Sequence, residues 1–273
     1  MFFDFSQLSW IFLSMAILSA SFVVAEIPLT AHRGASYDAP ENTLAAFKLA
    51  WELGADGIEG DFYLTSDGHV VCMHDATTKR TGDRDLRVVD STLAQLKSVD
   101  VGSWKGAQYA GERIPTLQEV LAVVPPGKYI QIEIKSGIEI VEPIARILKK
   151  SNLGADQIVL ICFNKDVVSA AKKLMPNFKV LWLASFKDKT KASTAAVTLE
   201  TLRQTGADGL GASATLDIID SEYIRTVKAD GKYEFIVWTV NDATLAAQFL
   251  TRGVDAITTD RPDYIRTAFK NLR

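Results

Sequence analysis

Residues 57–75 read GIEGDFYLTSDGHVVCMHD. Two apolar-rich runs, Gly57–Leu64 and His69–His74, flank Thr65-Ser66-Asp67-Gly68. Asp-Gly is a strong hairpin signal, and the gap is far short of the dozen or so residues that a parallel crossover needs. The second run therefore returns antiparallel beside the first. This decides the fold, because it removes one strand from the count of candidates. The others are Ile27–Ala31, Tyr129–Ile134, Ile158–Phe163, Lys179–Ala184, Gly209–Ala212, Phe235–Val240 and Ala256–Thr259. Several are unbroken Val/Ile/Leu runs, as strands buried on both faces require. Helical patterns lie between most of them, at Thr43–Leu53, Leu117–Val124, Glu139–Lys150, Val167–Leu174, Ser221–Ala229 and Ala243–Leu250, and Pro262 suits the first position of a last helix. With the hairpin set aside, the repeated βα units predict a (β/α)8 barrel of the TIM type, carrying an extra antiparallel hairpin arm after the second strand. A doubly wound open sheet is the alternative. It normally carries a Gly-rich nucleotide loop after its first strand, and no GxGxxG or Walker sequence occurs here.

The chain has 273 residues, 48% of them apolar, and a net charge of −3. That balance, without a run of Lys or Arg, gives no electrostatic footprint for a nucleic-acid partner. Cys72 and Cys162 lie inside the apolar runs VVCMHD and IVLICF, where buried free thiols are expected; no CxxC or Cys/His spacing points to zinc. Residues 1–25 have the layout of a secretory signal peptide: an apolar segment, Trp10 to Leu18, then small residues and Val23-Val24-Ala25 before Glu26. Asp4 and the lack of Lys or Arg depart from that layout, and an uncleaved membrane anchor or a buried helix is the alternative. The expectation is export, periplasmic or secreted, with no stable membrane insertion after signal removal, and a single barrel domain over 26–273.

Glu59 and Asp61 stand two apart on one strand and so share a face. Two adjacent carboxylates raise one another's pKa unless a cation joins them. A turn centred on Asp67-Gly68 opposes residues whose numbers sum to about 135, which sets His74 against Asp61; a longer turn sets it against Glu59. His69 falls beside the turn, in solvent. Glu133 and Lys135, in IQIEIKSG, bring a third carboxylate and a cation to another strand end. Each strand end alone is ordinarily a solvated one. Their agreement points to the C-terminal rim, where barrel enzymes place their chemistry. Three carboxylates without a cysteine suit one hard divalent cation, Ca²⁺ or Mg²⁺. That leaves the histidines for proton transfer. The stretch HRGASYDAPENTLAAF, residues 32–47, supplies His32 and Arg33 at the end of the first strand; Arg33 offers a planar fork for phosphate oxygens. Glu41 orients Arg33, meets a substrate hydroxyl, or favours the following helix N-terminus. Asn42 or Thr43 caps that helix. Trp238 ends the run FIVW, a position more often core than ligand wall. Asn241 caps the next helix, Asp260 lines the rim or begins the last loop, and Phe163 is a candidate for the apolar side of a pocket.

Taken in order, HRG (32–34), PENT (40–43), ExD (59–61), DGHVVCMHD (67–75), EIK (133–135), WTVN (238–241) and TDRPD (259–263) resemble the glycerophosphodiester phosphodiesterases. The resemblance implies a barrel, a divalent metal, and hydrolysis of a small-molecule glycerophosphodiester to glycerol 3-phosphate and an alcohol. It implies Glu59, Asp61 and Glu133 as metal ligands and His32 and His74 as the acid/base pair. It further implies Arg33 on phosphate with Lys135 assisting, Trp238 beside the glycerol, and a nucleophile that is the substrate's own 2-hydroxyl. The residues alone equally permit direct attack by water. The rival functions are a phosphodiesterase for lysophospholipids or other phosphodiesters, and a non-catalytic exported binding protein, which would have no use for an acid/base pair.

Overall fold

A computed structural model describes residues 27–186 and 193–271; the expected leader, residues 1–25, lies outside the described residues. The described strands form one sheet: β1 (Leu29–Ala31), β2 (Gly57–Leu64), β3 (Val70–Cys72), β4 (Tyr129–Ile134), β5 (Ile158–Cys162), β6 (Lys179–Ala184), β7 (Gly209–Ser213), β8 (Glu234–Trp238) and β9 (Ala256–Thr259). All except β3 are parallel neighbours, and β1 pairs with both β2 and β9, which closes an eight-stranded TIM-type barrel. Strand β3 lies outside the closure, antiparallel to β2, as the Asp-Gly signal required.

The α-helices are α1 (Leu44–Glu52), α2 (Leu93–Lys97), α3 (Leu117–Leu121), α4 (Val141–Lys149), α5 (Lys165–Leu174), α6 (Ala195–Thr205), α7 (Ser221–Val227), α8 (Ala243–Arg252) and α9 (Pro262–Asn271). Barrel strands alternate their side chains between two environments. Val159, Ile161, Leu181, Leu183, Ile236 and Ala256 form one buried cluster, with Trp238 packed on it. Ile58, Phe62, Ile130, Ile132, Leu160 and Val180 belong to another, shared with the helices. Each buried Val, Leu, Ile or Phe among them contributes about 1.5–3 kcal/mol by leaving water. Carboxylates at 59, 61 and 133 interrupt these mostly apolar strands at a considerable desolvation cost that packing alone does not offset.

Two helices are not legible in the sequence. Helix α6 turns Thr198, Thr201, Leu202 and Thr205 inward. Threonine hydroxyls replace apolar groups on that face, with Thr201 donating to the Val197 carbonyl (3.0 Å) and Thr205 to that of Thr201 (2.8 Å). Helix α2 is a short helix held by a capping box between Thr92 and Gln95. It belongs to the long excursion between β3 and α3, whose Val88, Leu96, Val99, Val101 and Ile114 pack with Val71 and Met73 of the arm. This second core fixes the loop that follows His74.

The hairpin register corrects the expected one. Phe62 opposes Cys72, Tyr63 opposes Val71 and Leu64 opposes Val70, so Asp61 faces Met73 rather than His74. The Met73 amide donates to the Asp61 carbonyl at 2.8 Å. Three residues, not two, make the turn: Thr65 and His69 bond across it, and Gly68 takes φ +82°, the left-handed position that a three-residue hairpin assigns to glycine.

Candidate active site

Strand register assembles the carboxylates. Asp61 and Glu133 are direct neighbours across β2 and β4, and Glu59 stands one inward-facing position earlier on β2. Ligand oxygens of all three lie within 4.8 Å of one another. Lys135, just past β4, donates to Glu133 Oε1 at 2.7 Å and sits 3.3 Å from Asp61 Oδ1. Burial pushes the Glu59 carboxyl well above the ordinary range, and repulsion from Asp61 and Glu133 adds to it. Burial and Asp61 likewise raise Glu133. Burial would raise Asp61 too, but Lys135, Arg33 and His74 outweigh it and hold that carboxyl low. The donor set is oxygen-only, and Glu59 Oε1 is buried without a hydrogen-bond partner. Both features fit a hard cation, which could bind here.

The β1–α1 loop carries the next layer. His32 leaves β1 with its Nδ1 2.7 Å from Asp260 Oδ1. Asp260 also accepts from Ser36 Oγ (2.9 Å) and Asn241 Nδ2 (2.5 Å). Although burial opposes it, the bond to His32 leads in lowering the Asp260 carboxyl to about 2. An ionised carboxylate only accepts, so Nδ1 of His32 donates to it, and in the neutral form of the ring Nε2 is the nitrogen that keeps its lone pair. Arg33 has φ +57°, a costly left-handed conformation for a residue with a side chain, and its amide donates to Glu59 Oε2 at 2.9 Å. Gly34 follows at φ +82°; a Cβ there would come within 2.6 Å of the Ala46 backbone, so the loop packs on α1 only with glycine. Arg33 Nη1 donates to Glu41 Oε1 at 3.0 Å, and its Nε lies 3.4 Å from Asp61 Oδ2. Glu41 thus orients Arg33, one of the alternatives open from sequence.

His74 stands just beyond the arm, its Nδ1 2.6 Å from Asp75 Oδ1. Burial lowers its pKa, and the nearby Asp61 opposes that. Its influence on Asp61 survives the changed register because β3 ends at Cys72, before it. His69 is exposed beside the turn. Phe163 and Trp238 meet edge to face, centroids 5.5 Å apart; Phe163 is exposed and Trp238 half-buried. Together they form an aromatic wall at the ends of β5 and β8.

Several residues take roles other than those expected. Thr43 caps α1, accepting from Ala46 N, whereas Asn42 exchanges bonds with Asp61: Nδ2 donates to Oδ2 (2.8 Å) and Asp61 N donates to Oδ1 (3.2 Å). Asp242, not Asn241, caps α8; Asn241 instead holds Asp260. Asp75 is signalled only as the end of the DGHVVCMHD segment, and Arg80 carries no sequence signal. Both thiols are free and buried, as expected. No helix among the described residues is long and apolar enough to cross a membrane.

Comparison with known proteins agrees with this arrangement. Residues 32–264 match the glycerophosphoryl diester phosphodiesterase family. A glycerophosphodiester phosphodiesterase from Caldanaerobacter subterraneus subsp. tengcongensis is 36% identical over 240 residues, covering 85% of this chain and 93% of the relative. One from Bacillus subtilis is 31% identical over 250 residues, covering 85% and 83%. Among solved structures, a phosphodiesterase from Oleispira antarctica in complex with the product sn-glycerol-3-phosphate superposes with a TM-score of 0.80 at 32% identity, over 89% of this chain and 96% of that one. The chain belongs to the glycerophosphoryl diester phosphodiesterase family and is a phosphoric diester hydrolase.

Proposed function

We propose that this enzyme hydrolyses small glycerophosphodiesters to glycerol 3-phosphate and an alcohol, using one divalent cation and two histidines. The observation that carries the reading is the oxygen-only triad Glu59, Asp61 and Glu133, flanked by two histidines that are each oriented by a carboxylate. The triad would hold Ca²⁺ or Mg²⁺. Such an ion, when bound, neutralises phosphate charge and acidifies a hydroxyl beside it. Arg33 and Lys135 supply the remaining positive charge toward the phosphate oxygens. Arg33 is aimed by Glu41 and by its own strained backbone, so little reorganisation accompanies binding. Trp238 and Phe163 wall the glycerol.

With Nδ1 of each histidine turned to a carboxylate, Nε2 is the nitrogen left to exchange protons. One histidine takes the proton of the substrate's 2-hydroxyl as its oxygen bonds to phosphorus. The other gives a proton to the departing alkoxide as the P–O bond breaks. The resulting five-membered cyclic phosphate is opened by water, with the two histidines exchanging roles. The family resemblance favours the intramolecular nucleophile; the residues alone also permit direct attack by water. We also propose that residues 1–25 direct export, to the periplasm or outside the cell, and that 26–273 form one catalytic domain.

A panel of glycerophosphodiesters tests this in an assay coupled to glycerol 3-phosphate, with and without chelator. Cation-dependent release of glycerol 3-phosphate is expected. Binding without turnover, or turnover only of lysophospholipids, would contradict the proposal.

A further inference from the structure

The guanidinium of Arg80 joins two halves of the site that are otherwise separate in sequence. Its Nη1 and Nη2 donate to the two oxygens of Glu41, both at 2.8 Å, and its Nε donates to Asp75 Oδ2 at 2.7 Å. Glu41 uses the same carboxylate to hold Arg33, and Asp75 uses its other oxygen to hold His74. A continuous side-chain chain therefore runs His74–Asp75–Arg80–Glu41–Arg33. Every link in it is 3.0 Å or shorter. It starts on the loop after the arm and ends beside the metal-ligand candidates.

The side chain of Arg80 is 45% exposed. Solvent reaches Arg80, which lowers what each ion pair adds to stability, although a bidentate pair within a network keeps part of it. The fork also does what an ammonium cannot: a planar guanidinium fixes both partners in direction as well as distance. The second core of the excursion, packed on Val71 and Met73, holds the loop that presents Arg80.

We propose that Arg80 is a positioning residue that locks His74 and Arg33 into one preorganised unit, so that proton transfer and phosphate binding are set together. The proposal rests on the roles given above to His74 and Arg33. Outer groups that orient groups at a metal centre typically change activity about 10–100-fold on removal. Arg80→Ala is therefore expected to lower kcat/KM by about 10–100-fold, through both a lower kcat, by way of His74, and a higher KM, by way of Arg33. Arg80→Lys keeps the charge but not the fork, and is expected to recover only part of the loss.

Steady-state kinetics on the purified enzyme with its cation, beside His74→Ala, Arg33→Ala and the double variant Arg80→Ala/His74→Ala, test this, with folding checked by circular dichroism. The double variant is expected to have a kcat no lower than His74→Ala alone, because Arg80 acts on kcat through His74. If Arg80→Ala fails to fold, Arg80→Lys decides. Wild-type kcat and KM for Arg80→Lys, a change in melting temperature alone, or fully additive losses in the double variant would overturn the proposal. Near-wild-type activity of His74→Ala and Arg33→Ala would instead overturn the reading of the site on which it rests.

Discussion

Asp260→Asn removes one charge and keeps the shape. In the native protein this carboxylate receives His32 Nδ1 at 2.7 Å, Ser36 Oγ at 2.9 Å and Asn241 Nδ2 at 2.5 Å. All of these partners donate to it, and an amide must turn its NH2 toward one side or the other. If it turns to His32, Nδ1 becomes the acceptor and the proton moves to Nε2, the wrong tautomer for a base. The expected loss in kcat is that of a displaced acid/base group, about 10²–10⁴-fold. Stability changes too. The carboxyl moves from an ordinary 3.8 to about 2 on folding, worth at most about 2 kcal/mol at ~1.4 kcal/mol per pKa unit. Exposure of 27% of the side chain reduces this to about 1–2 kcal/mol. The sign follows from linkage: a folded-state pKa below the unfolded value contributes stability above the unfolded pKa and loses it as pH falls through the folded one. The gap between wild type and variant in urea unfolding should therefore be full at pH 7 and about half gone by pH 3. A variant with wild-type kcat, or a gap that widens toward acid, would refute the reasoning.

Chelation should abolish activity, and Glu59→Gln should weaken Ca²⁺ or Mg²⁺ binding by calorimetry about 10-fold or more. In chelator, the same variant should melt no lower than wild type, since it relieves repulsion among three buried carboxylates; activity that survives exhaustive chelation would count against the cation. N-terminal sequencing of the native protein should begin at or near Glu26, and Met1 on a soluble cytoplasmic form would overturn export.

The barrel is legible in the sequence because its strands are apolar runs and its one irregularity carries an Asp-Gly signal. The carboxylates are legible because charge inside an apolar strand costs desolvation that packing alone does not offset. The features hidden from sequence depend on contacts between segments far apart along the chain. Asn42 reads as a cap because its neighbour Thr43 is one, while its own partner, Asp61, is 19 residues away. Asp260 stands 228 residues from the histidine it orients. Arg80 lies in an excursion whose packing has no simple period. Helix α6 is hidden because threonines fill its inner face, and a hydropathy pattern counts them as polar. The arm's register differs by one from the expected one because Gly68 supports a three-residue turn as readily as a two-residue one.

The most direct test is the kcat of His32→Ala, His74→Ala and the double variant, measured as glycerol 3-phosphate release at saturating cation. His69→Ala, which changes an exposed residue beside the turn, serves as control. Each single change should lower kcat about 10²–10⁴-fold. The double variant should be little worse than either, because paired groups in one transfer lose their effect together. A near-wild-type kcat for folded His74→Ala would contradict two-histidine catalysis at this rim.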